Sequence, residues 1–123
     1  MKALVVDDSR ATRVILRKAL ESEGFSVLEA GDGQQALERL AESGPLELAL
    51  VDWNMPVMNG YELIQALRSQ QSFDGMSIMM VTTESESSQV QRALDAGANE
   101  YVMKPFSPDM LREKLLLLGL VNG

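Results

Sequence analysis

Short apolar segments alternate with amphipathic segments along the whole chain. The apolar segments predict five strands, at Ala3 to Val6, Phe25 to Leu28, Leu46 to Val51, Ser77 to Val81 and Glu100 to Met103. The first, third and fourth strands are almost continuously apolar rather than alternating. This pattern is typical of strands that are covered on both faces of a parallel sheet.

Between the strands, apolar residues recur at helical spacing and predict five helices. Their apolar positions are Val14, Ile15, Ala19 and Leu20; Ala36, Leu37 and Leu40; Tyr61, Leu63, Ile64 and Leu67; Val90, Ala93 and Leu94; and Leu111, Leu115 and Leu118. Ser9 is a candidate cap for the first helix, Gly33 opens the second, and Pro108 after Ser107 starts the fifth. Helix ends are predicted at Gly24, Gly44-Pro45 and Gly97.

Five strand–helix units with buried parallel strands indicate an α/β fold. We expect a doubly wound five-stranded parallel sheet in the order 2-1-3-4-5, flanked by five helices, with flavodoxin-like topology. No linker, repeat or low-complexity stretch interrupts the pattern. Residues 1–123 are therefore expected to form a single domain without an output domain.

Polar residues follow the predicted strands at the edge where such sheets bind ligands. They are Asp7-Asp8 after the first strand, Asp52 after the third, Thr82-Thr83 after the fourth and Lys104-Pro105 after the fifth. Three converging carboxylates repel one another, and Lys104 offsets only one of the three charges. A divalent cation would neutralise the set, and oxygen ligands with room for water favour Mg²⁺.

Composition narrows the chemistry of this edge. The chain has no Cys and no His, so thiolate chemistry, an imidazole base and Cys- or His-ligated metals are excluded. A carboxylate is then the available nucleophile, and it can form an aspartyl-phosphate. Asp52 is the natural choice, because the third strand is central in the expected order. The net charge of −7 gives no general reason to bind nucleic acid or an anionic membrane, and no targeting segment is visible.

At these residues the chain resembles a response-regulator receiver domain over its whole length, most closely the single-domain chemotaxis branch of CheY type. The motifs that carry the resemblance are Val5-Val6-Asp7-Asp8-Ser9, Asp52-Trp53-Asn54-Met55-Pro56-Val57-Met58-Asn59-Gly60, Thr82 and Lys104-Pro105. The spacings from Asp8 to Asp52, from Asp52 to Thr82 and from Thr82 to Lys104 also fit the family. The Lys-Pro bond at this position is often cis in the family.

The resemblance implies a role for each of these residues. Asp52 would accept a phosphoryl group from a histidine kinase, and Thr82 and Lys104 would contact that group. Asp7, Asp8, Asp52 and the backbone carbonyl of Asn54 would hold Mg²⁺. Thr82 and Tyr101 would act as a switch that remodels the face made by the fourth helix, fifth strand and fifth helix, where a downstream protein docks. Asn54, Thr83 and Glu84 would tune the rates of phosphorylation and dephosphorylation.

The resemblance also indicates a cytoplasmic signalling protein, in chemotaxis or motility, that promotes its own phosphorylation and dephosphorylation without turning over another substrate. A phosphatase is a possible further partner; nucleic acid and membrane are not expected. Two features depart from the family pattern. Thr83 stands where a smaller residue is usual, and the start of the fourth helix, Glu86-Ser87-Ser88, is acidic and polar where motor-binding members often carry Lys.

Four alternatives stay open from the residues. One is a Mg²⁺-dependent phosphatase that uses an aspartyl-phosphate, although Asn54 stands where that class needs a second Asp. The second is a receiver in a phosphorelay unrelated to chemotaxis. A flavin-binding electron carrier shares the topology, but Asp7-Asp8 would repel the flavin phosphate. A binding module that is never phosphorylated is disfavoured by the intact Asp52, Thr82 and Lys104.

Overall fold

Five parallel strands form one sheet in the order β2-β1-β3-β4-β5. The computed structural model describes residues 1–122, apart from the side chains of Glu84, Ser85 and Ser87. The strands are β1 (Lys2–Val6), β2 (Ser26–Ala30), β3 (Leu48–Asp52), β4 (Ser77–Thr83) and β5 (Glu100–Lys104). The helices are α1 (Arg10–Glu21), α2 (Gly33–Ser43), α3 (Gly60–Arg68), α4 (Val90–Ala96) and α5 (Pro108–Leu117), with 3₁₀ helices at Gln71–Phe73 and Glu84–Gln89. The predicted fold class and strand order are confirmed.

The sheet is covered on both faces, because successive side chains of a strand point to opposite sides. On one face, Ala3 and Val5 of β1 pack in a buried cluster with Leu16 of α1 and Leu111 of α5. On the other face, the cluster contains residues of α2, α3 and α4. Its members from β1 and these helices are Leu4, Val6, Ala36, Leu40, Leu63, Ile64, Leu67 and Ala93. The continuous apolar strands β1, β3 and β4 are thus the central ones, as predicted.

The edge strand β2 begins and ends later than predicted. It pairs with β1 from Lys2↔Ser26 to Val6↔Ala30, whereas the sequence pattern placed it at Phe25 to Leu28. Glu29 is polar and was therefore excluded from the strand. On an edge strand that residue remains accessible to arginines, and Glu29 pairs with Arg13 and Arg17. The other four strands differ from their predicted bounds by one or two residues.

The apolar stripe of α1 was predicted correctly at Ala19 and Leu20 but wrongly at Ile15. Ile15 was assigned to the stripe, but it is 59% exposed, whereas Leu16 and Leu20 are buried. Neighbouring residues on a helix differ by about 100° around its axis, so Ile15 and Leu16 cannot both face the sheet. The Leu16–Leu20 pair, one turn apart, is the side that packs.

The fourth helix begins later than the sequence indicated. Its predicted start, Glu86-Ser87-Ser88, belongs to the 3₁₀ helix Glu84–Gln89, and α4 itself starts at Val90. The C-terminal end agrees with the prediction, because Gly97 follows it with a φ of +122°. The cap at Ser9 is confirmed, and Ser107 caps α5 in the same way, since each hydroxyl accepts a hydrogen bond from a backbone N–H three residues later. Within residues 1–122, no helix is long and apolar enough to cross a membrane.

Candidate functional site

The ends of the two central strands bring three carboxylates together. Asp7 directly follows β1, Asp52 ends β3, and these strands are hydrogen-bonded neighbours. One carboxylate oxygen from each of Asp7, Asp8 and Asp52 lies within 4.8 Å of the other two. Asp7 and Asp52 are buried, at 1% and 5% exposure, while Asp8 is exposed to solvent. The predicted acidic cluster therefore forms at the carboxyl edge of the sheet.

Lys104, the last residue of β5, bridges two of these carboxylates. Its Nζ lies 3.0 Å from Asp7 Oδ2 and 3.2 Å from Asp52 Oδ1. Burial acts to lower the pKa of Lys104, but its hydrogen bond to Asp7 and the charge of Asp52 leave that pKa above its ordinary value. The ammonium is therefore charged at neutral pH, and the cluster of three carboxylates and one lysine carries a net charge of −2. The Lys104–Pro105 peptide bond is cis.

Hydrogen bonds fix both oxygens of Asp7. The backbone N–H of Ser9 donates to Oδ1 at 2.8 Å, and Lys104 donates to Oδ2. Arg13 of α1 donates to the backbone carbonyl of Asp7 at 2.6 Å and also pairs with Glu29 of β2. Arg13 was not singled out from the sequence. Its role follows only from the packing of α1 beside β2, which orients the turn that carries Asp7 and Asp8.

Asp52 has a raised pKa and one carboxylate oxygen without a described hydrogen-bond partner. Burial and, secondarily, the charge of Asp7 raise the pKa of Asp52 to about 6, although Lys104 opposes the shift. Only Oδ1 accepts a hydrogen bond from a described residue, so the second oxygen is the one available as a nucleophile. Asp52 also lines an open depression of about 350 Å³, together with Asp8, Asn54, Thr83, Glu86 and Lys104. A reactant can therefore approach Asp52 from solvent.

The loop that follows Asp52 folds tightly back on the strand. The N–H of Gly60 donates to the carbonyl of Trp53 at 3.0 Å, and a Cβ on Gly60 would lie 2.4 Å from the carbonyl oxygen of Asp52. Within the loop, Met58 N–H donates to Pro56 O at 2.7 Å, which places Val57 at a φ of +68°. A β-branched residue seldom adopts this conformation. The tight loop holds Asn54 at the mouth of the depression.

Trp53 and four nearby methionines are packing residues. The Trp53 ring meets Tyr61 edge to face, with 5.9 Å between centroids. Both Trp53 and Met58 pack against the buried cluster beneath α2 and α3. Met55, Met79 and Met80 are buried. Trp53 also directly follows Asp52, so the single tryptophan of the chain is a natural reporter of changes at the site.

Thr83 lines the other side of the depression, and Thr82 is buried next to it. The Thr82 side chain is fully buried, and its hydroxyl lies 3.3 Å from the Thr83 carbonyl oxygen and 3.4 Å from Glu86 Oε1. Thr83 contacts the same carboxylate through both its hydroxyl and its backbone N–H, at 3.0 and 3.1 Å. Glu86 was predicted only as part of a helix start. Its place in the depression had one signal in the sequence, the Thr-x-x-Glu spacing typical of a capping box.

Tyr101 stands apart from this group. Tyr101 is half-buried on β5 and lies beneath Lys114, whose Nζ is 4.2 Å from the ring centroid. Lys114 also pairs with Glu100 at 2.9 Å. The Glu84 side chain, predicted to tune rates, lies outside the described residues. The structure thus brings Asp7, Asp8, Asp52, Asn54, Thr82, Thr83 and Lys104 to one edge of the sheet, and it places Tyr101 on the neighbouring face.

The donor set of this site suits a hard divalent cation. Three carboxylates supply oxygen ligands close together, and the net charge of −2 favours a dication. Asp8 is exposed, so space remains for water, which Mg²⁺ retains in most of its protein sites. Asp7 already uses both oxygens in hydrogen bonds, although each carboxylate oxygen can accept more than one. The acidic pocket can therefore bind a metal ion of this kind.

Comparison with known proteins shows the family of the chain. The family model described as "Response regulator receiver domain" matches residues 3–116. The chain is 45% identical over 125 aligned positions to a chemotaxis protein CheY homolog of Campylobacter jejuni, covering 100% of this chain and 96% of that protein. It is 45% identical to chemotaxis protein CheY1 of Helicobacter pylori, covering 97% and 98% of the two chains.

A solved structure supports the same relationship. The structure of chemotaxis protein CheY4 from Vibrio cholerae, crystallised at low pH, superposes with a TM-score of 0.87 at 34% identity. The superposition covers 95% of this chain and 97% of that one. The chain is therefore a member of the response regulator receiver domain family.

Proposed function

We propose that this protein is a phosphorylation switch of a two-component phosphorelay, with Asp52 as the phosphoacceptor. One observation carries the proposal: Lys104 bridges Asp7 and Asp52 beside an open depression, which leaves one buried carboxylate oxygen of Asp52 available for attack. The donor is a phosphohistidine of a histidine kinase, as for the receiver family to which the chain belongs, and that histidine belongs to another protein because this chain has none. A small phosphodonor such as acetyl phosphate can take its place.

The transfer makes one bond and breaks one. The free oxygen of Asp52 attacks phosphorus, and the bond from phosphorus to the histidine nitrogen breaks. The electron pair stays on that nitrogen, which takes up a proton from solvent. Lys104 lies where it can pair with a phosphoryl oxygen, and the hydroxyl of Thr82 can donate to another.

Asp7, Asp8, Asp52 and the backbone carbonyl of Asn54 would hold Mg²⁺ at this site. A bound Mg²⁺ would neutralise charge on the phosphoryl oxygens during transfer. The residues of the chain do the rest of the positioning: Ser9 and Arg13 fix Asp7, and Lys104 aligns Asp52. The phosphoryl group is lost in a separate reaction, hydrolysis of the aspartyl-phosphate: water attacks phosphorus, the bond from phosphorus to the Asp52 oxygen breaks, and the carboxylate and inorganic phosphate are released. Asn54, Thr83 and Glu84 are proposed to set the rates of phosphorylation and hydrolysis, and a separate phosphatase is a possible partner.

The output surface is proposed to be the face formed by α4, β5 and α5. This face has an open pocket of about 290 Å³ lined by side chains of both signs and by apolar ones, namely Tyr101, Val102, Met103, Met110, Glu113 and Lys114. Thr82 and Tyr101 would link the site to it, because they lie on the neighbouring strands β4 and β5. The names of the Campylobacter and Helicobacter relatives support a role in chemotaxis signalling.

The proposal is tested by labelling with acetyl phosphate in Mg²⁺ and measuring the mass of the intact protein. The wild type should gain one phosphoryl group, and Asp52→Asn should gain none. Asp95→Asn is the matched control, because among the described residues this exposed α4 carboxylate is bonded only to Gln91, and the variant should be labelled like the wild type. Stable label on Asp52→Asn, or none on the wild type, would rule out Asp52 as the acceptor.

A further inference from the structure

Glu86 occupies the hydrogen-bond donors on the threonine side of the site. One oxygen of its carboxylate, Oε1, lies 3.1 Å from the Thr83 backbone nitrogen, 3.0 Å from the Thr83 hydroxyl and 3.4 Å from the Thr82 hydroxyl. The contact with the backbone N–H is half of a capping box, in which an acidic side chain reaches back to the residue before a helix. Here the capped helix is the 3₁₀ helix Glu84–Gln89.

The Glu86 carboxylate has no ion-pair partner in the part of the chain that the structure describes. Among the described residues, no Lys or Arg nitrogen lies within 4.0 Å of Glu86. Its carboxylate lines the same depression as Asp8, Asp52 and Lys104. The hydroxyl and N–H donors of Thr82 and Thr83 are therefore the main local stabilisation of its charge. The same donors suit one oxygen of a phosphoryl group.

We infer that Glu86 is an internal competitor of the phosphoryl group, an inference that rests on the proposed phosphorylation of Asp52. In the unphosphorylated state, its carboxylate holds the donors of Thr82 and Thr83. A phosphoryl group on Asp52 carries more negative charge than a carboxylate and lies in the same depression, so it repels Glu86 and takes over these donors. Phosphorylation then requires an exchange of one anion for another.

The exchange connects the site to α4. Glu86 belongs to the 3₁₀ helix that leads directly into α4, and the first residue before α4, Gln89, makes no side-chain cap. At the opposite end, Nε of Arg68 donates to the Gly97 carbonyl at 2.9 Å and anchors the helix. Release of Glu86 would therefore move the beginning of α4 while its end stays in place. This makes Glu86 a positioning residue that acts through Thr82 and Thr83.

The first test compares initial labelling rates with acetyl phosphate in Mg²⁺. Glu86→Ala removes the competitor and should label about 10-fold faster than the wild type, the order expected for losing a charge-assisted hydrogen bond from the ground state. Glu86→Gln retains an acceptor without the charge and should lie between the two. Asp95→Asn removes one negative charge from α4 without touching Thr82 or Thr83, so its rate should stay within 2-fold of the wild type.

The second test needs no phosphorylation. In the metal-free protein, the amide resonance of Thr83 should shift and exchange faster in Glu86→Ala, but not in Asp95→Asn. Beryllofluoride, a phosphoryl mimic, should bring the Thr83 amide of wild type and Glu86→Ala to the same position. Far-ultraviolet circular dichroism and urea unfolding check that the variants fold.

The outcomes separate the two proposals. If the wild type is labelled on Asp52 but Glu86→Ala is no faster, or Asp95→Asn is equally fast, the competitor role is wrong and the proposed function stands. If the Thr83 amide is the same in Glu86→Ala and the wild type, the contact itself is absent and the inference fails. If the wild type takes no label, both the proposed function and the competitor role of Glu86 are wrong.

Discussion

The two halves of the site are held by different kinds of contact. The aspartate half consists of Asp7, Asp8, Asp52 and Lys104, and the threonine half consists of Thr82, Thr83 and Glu86. In the aspartate half, two buried carboxylates share one lysine at 3.0 and 3.2 Å, and they end the central strands of the sheet. In the threonine half, Thr82 and Thr83 contact Glu86 at 3.0 to 3.4 Å, and Glu86 belongs to a short 3₁₀ helix.

This difference suits the two halves to different functions. The aspartate half is part of the rigid core, so it presents the same geometry to a donor in every cycle. The threonine half depends on a side chain that a competing anion can displace, so it is suited to report the change. The same contrast appears along α4, whose C-terminal end is anchored by Arg68 and whose beginning is not capped by Gln89.

Loss of Lys104 should have the largest effect on the aspartate half. Lys104→Met removes the cation between Asp7 and Asp52 and the partner of a phosphoryl oxygen. We expect labelling by acetyl phosphate to slow by about 100-fold, the usual effect of removing one preorganised donor. Lys114→Met is the matched control, because it removes the same charge at the Tyr101 ring and should leave the labelling rate within 2-fold. A Lys104→Met rate near that of the wild type would show that the ion pair is not part of the transfer.

Arg68 tests the anchored end of α4. Its guanidinium donates to three backbone carbonyls, those of Phe73, Met76 and Gly97, and to the side chain of Asn99. Burial lowers its pKa, but not enough to remove its charge at neutral pH. Arg68→Met leaves these acceptors to water and should lower the free energy of unfolding by about 2 to 3 kcal/mol in urea titrations. Arg92→Met, on the exposed side of α4 above Tyr61, should cost less than 1 kcal/mol. Equal losses of unfolding free energy in the two variants would show that Arg68 does not anchor the end of α4.

In the absence of metal, the charge of Asp52 lowers the free energy of unfolding. Its pKa is raised from 3.8 to about 6, so the folded protein binds this proton more tightly than the unfolded chain does. The ionised carboxylate therefore destabilises the fold, and its penalty grows as the pH rises from about 4 to about 6 and then stays constant. The difference in pKa sets an upper limit of about 3 kcal/mol. Asp52→Asn lacks this penalty and should raise the free energy of unfolding by about 2 kcal/mol at pH 7 in EDTA.

Two further measurements sharpen this prediction. The gain of Asp52→Asn should largely disappear near pH 4, where Asp52 is protonated in the folded protein and only about half ionised in the unfolded chain. It should also shrink in Mg²⁺, which binds the ionised form. Glu47 provides a control of opposite sign. The hydrogen bond from the backbone N–H of Lys2 lowers the pKa of Glu47, so its ionised form stabilises the fold above pH 4. Glu47→Gln should therefore lose stability at pH 7 and approach the wild type as the pH falls. A gain in Asp52→Asn that persists at pH 4 would show a cause other than charge.

The aspartate half was predictable from the sequence, and the threonine half was predictable only in part. Asp7, Asp52 and Lys104 each follow a buried strand, and parallel strands bring their carboxyl ends to one edge, so these residues had to meet. The contact of Glu86 depends instead on a 3₁₀ turn in Glu84–Gln89, a polar segment without helical or strand periodicity. The sequence therefore assigned Glu86 to a helix start, and only the structure places it on the site.

The same distinction explains the smaller differences in the fold. Periodicity identified the five strands and the five α-helices, because their buried faces require it. It failed where a residue is half-exposed. Glu29 lies in the edge strand β2, and Ile15 lies beside the true stripe of α1. At both positions the surrounding structure, rather than the polarity of the residue, determines whether it lies in the strand or on the buried side of the helix.

The smallest expected effect concerns strain in the loop that supports Asp52. Val57 is 81% exposed and has a φ of +68°, so its β-branched side chain gains no packing in return for a conformation that favours Gly or Asn. Val57→Asn should therefore raise the free energy of unfolding by about 1 kcal/mol in urea titrations. Val57→Thr keeps the branched Cβ and the strain, so it should stay within about 0.5 kcal/mol of the wild type. The loop closes on the carbonyl of Asp52, and among the described residues no hydrogen bond joins it to Glu86, so Val57→Asn should leave the Thr83 amide resonance in place. A shift of that resonance would mean that the two halves of the site are coupled through the loop, and the division between a rigid half and a displaceable half would have to be abandoned.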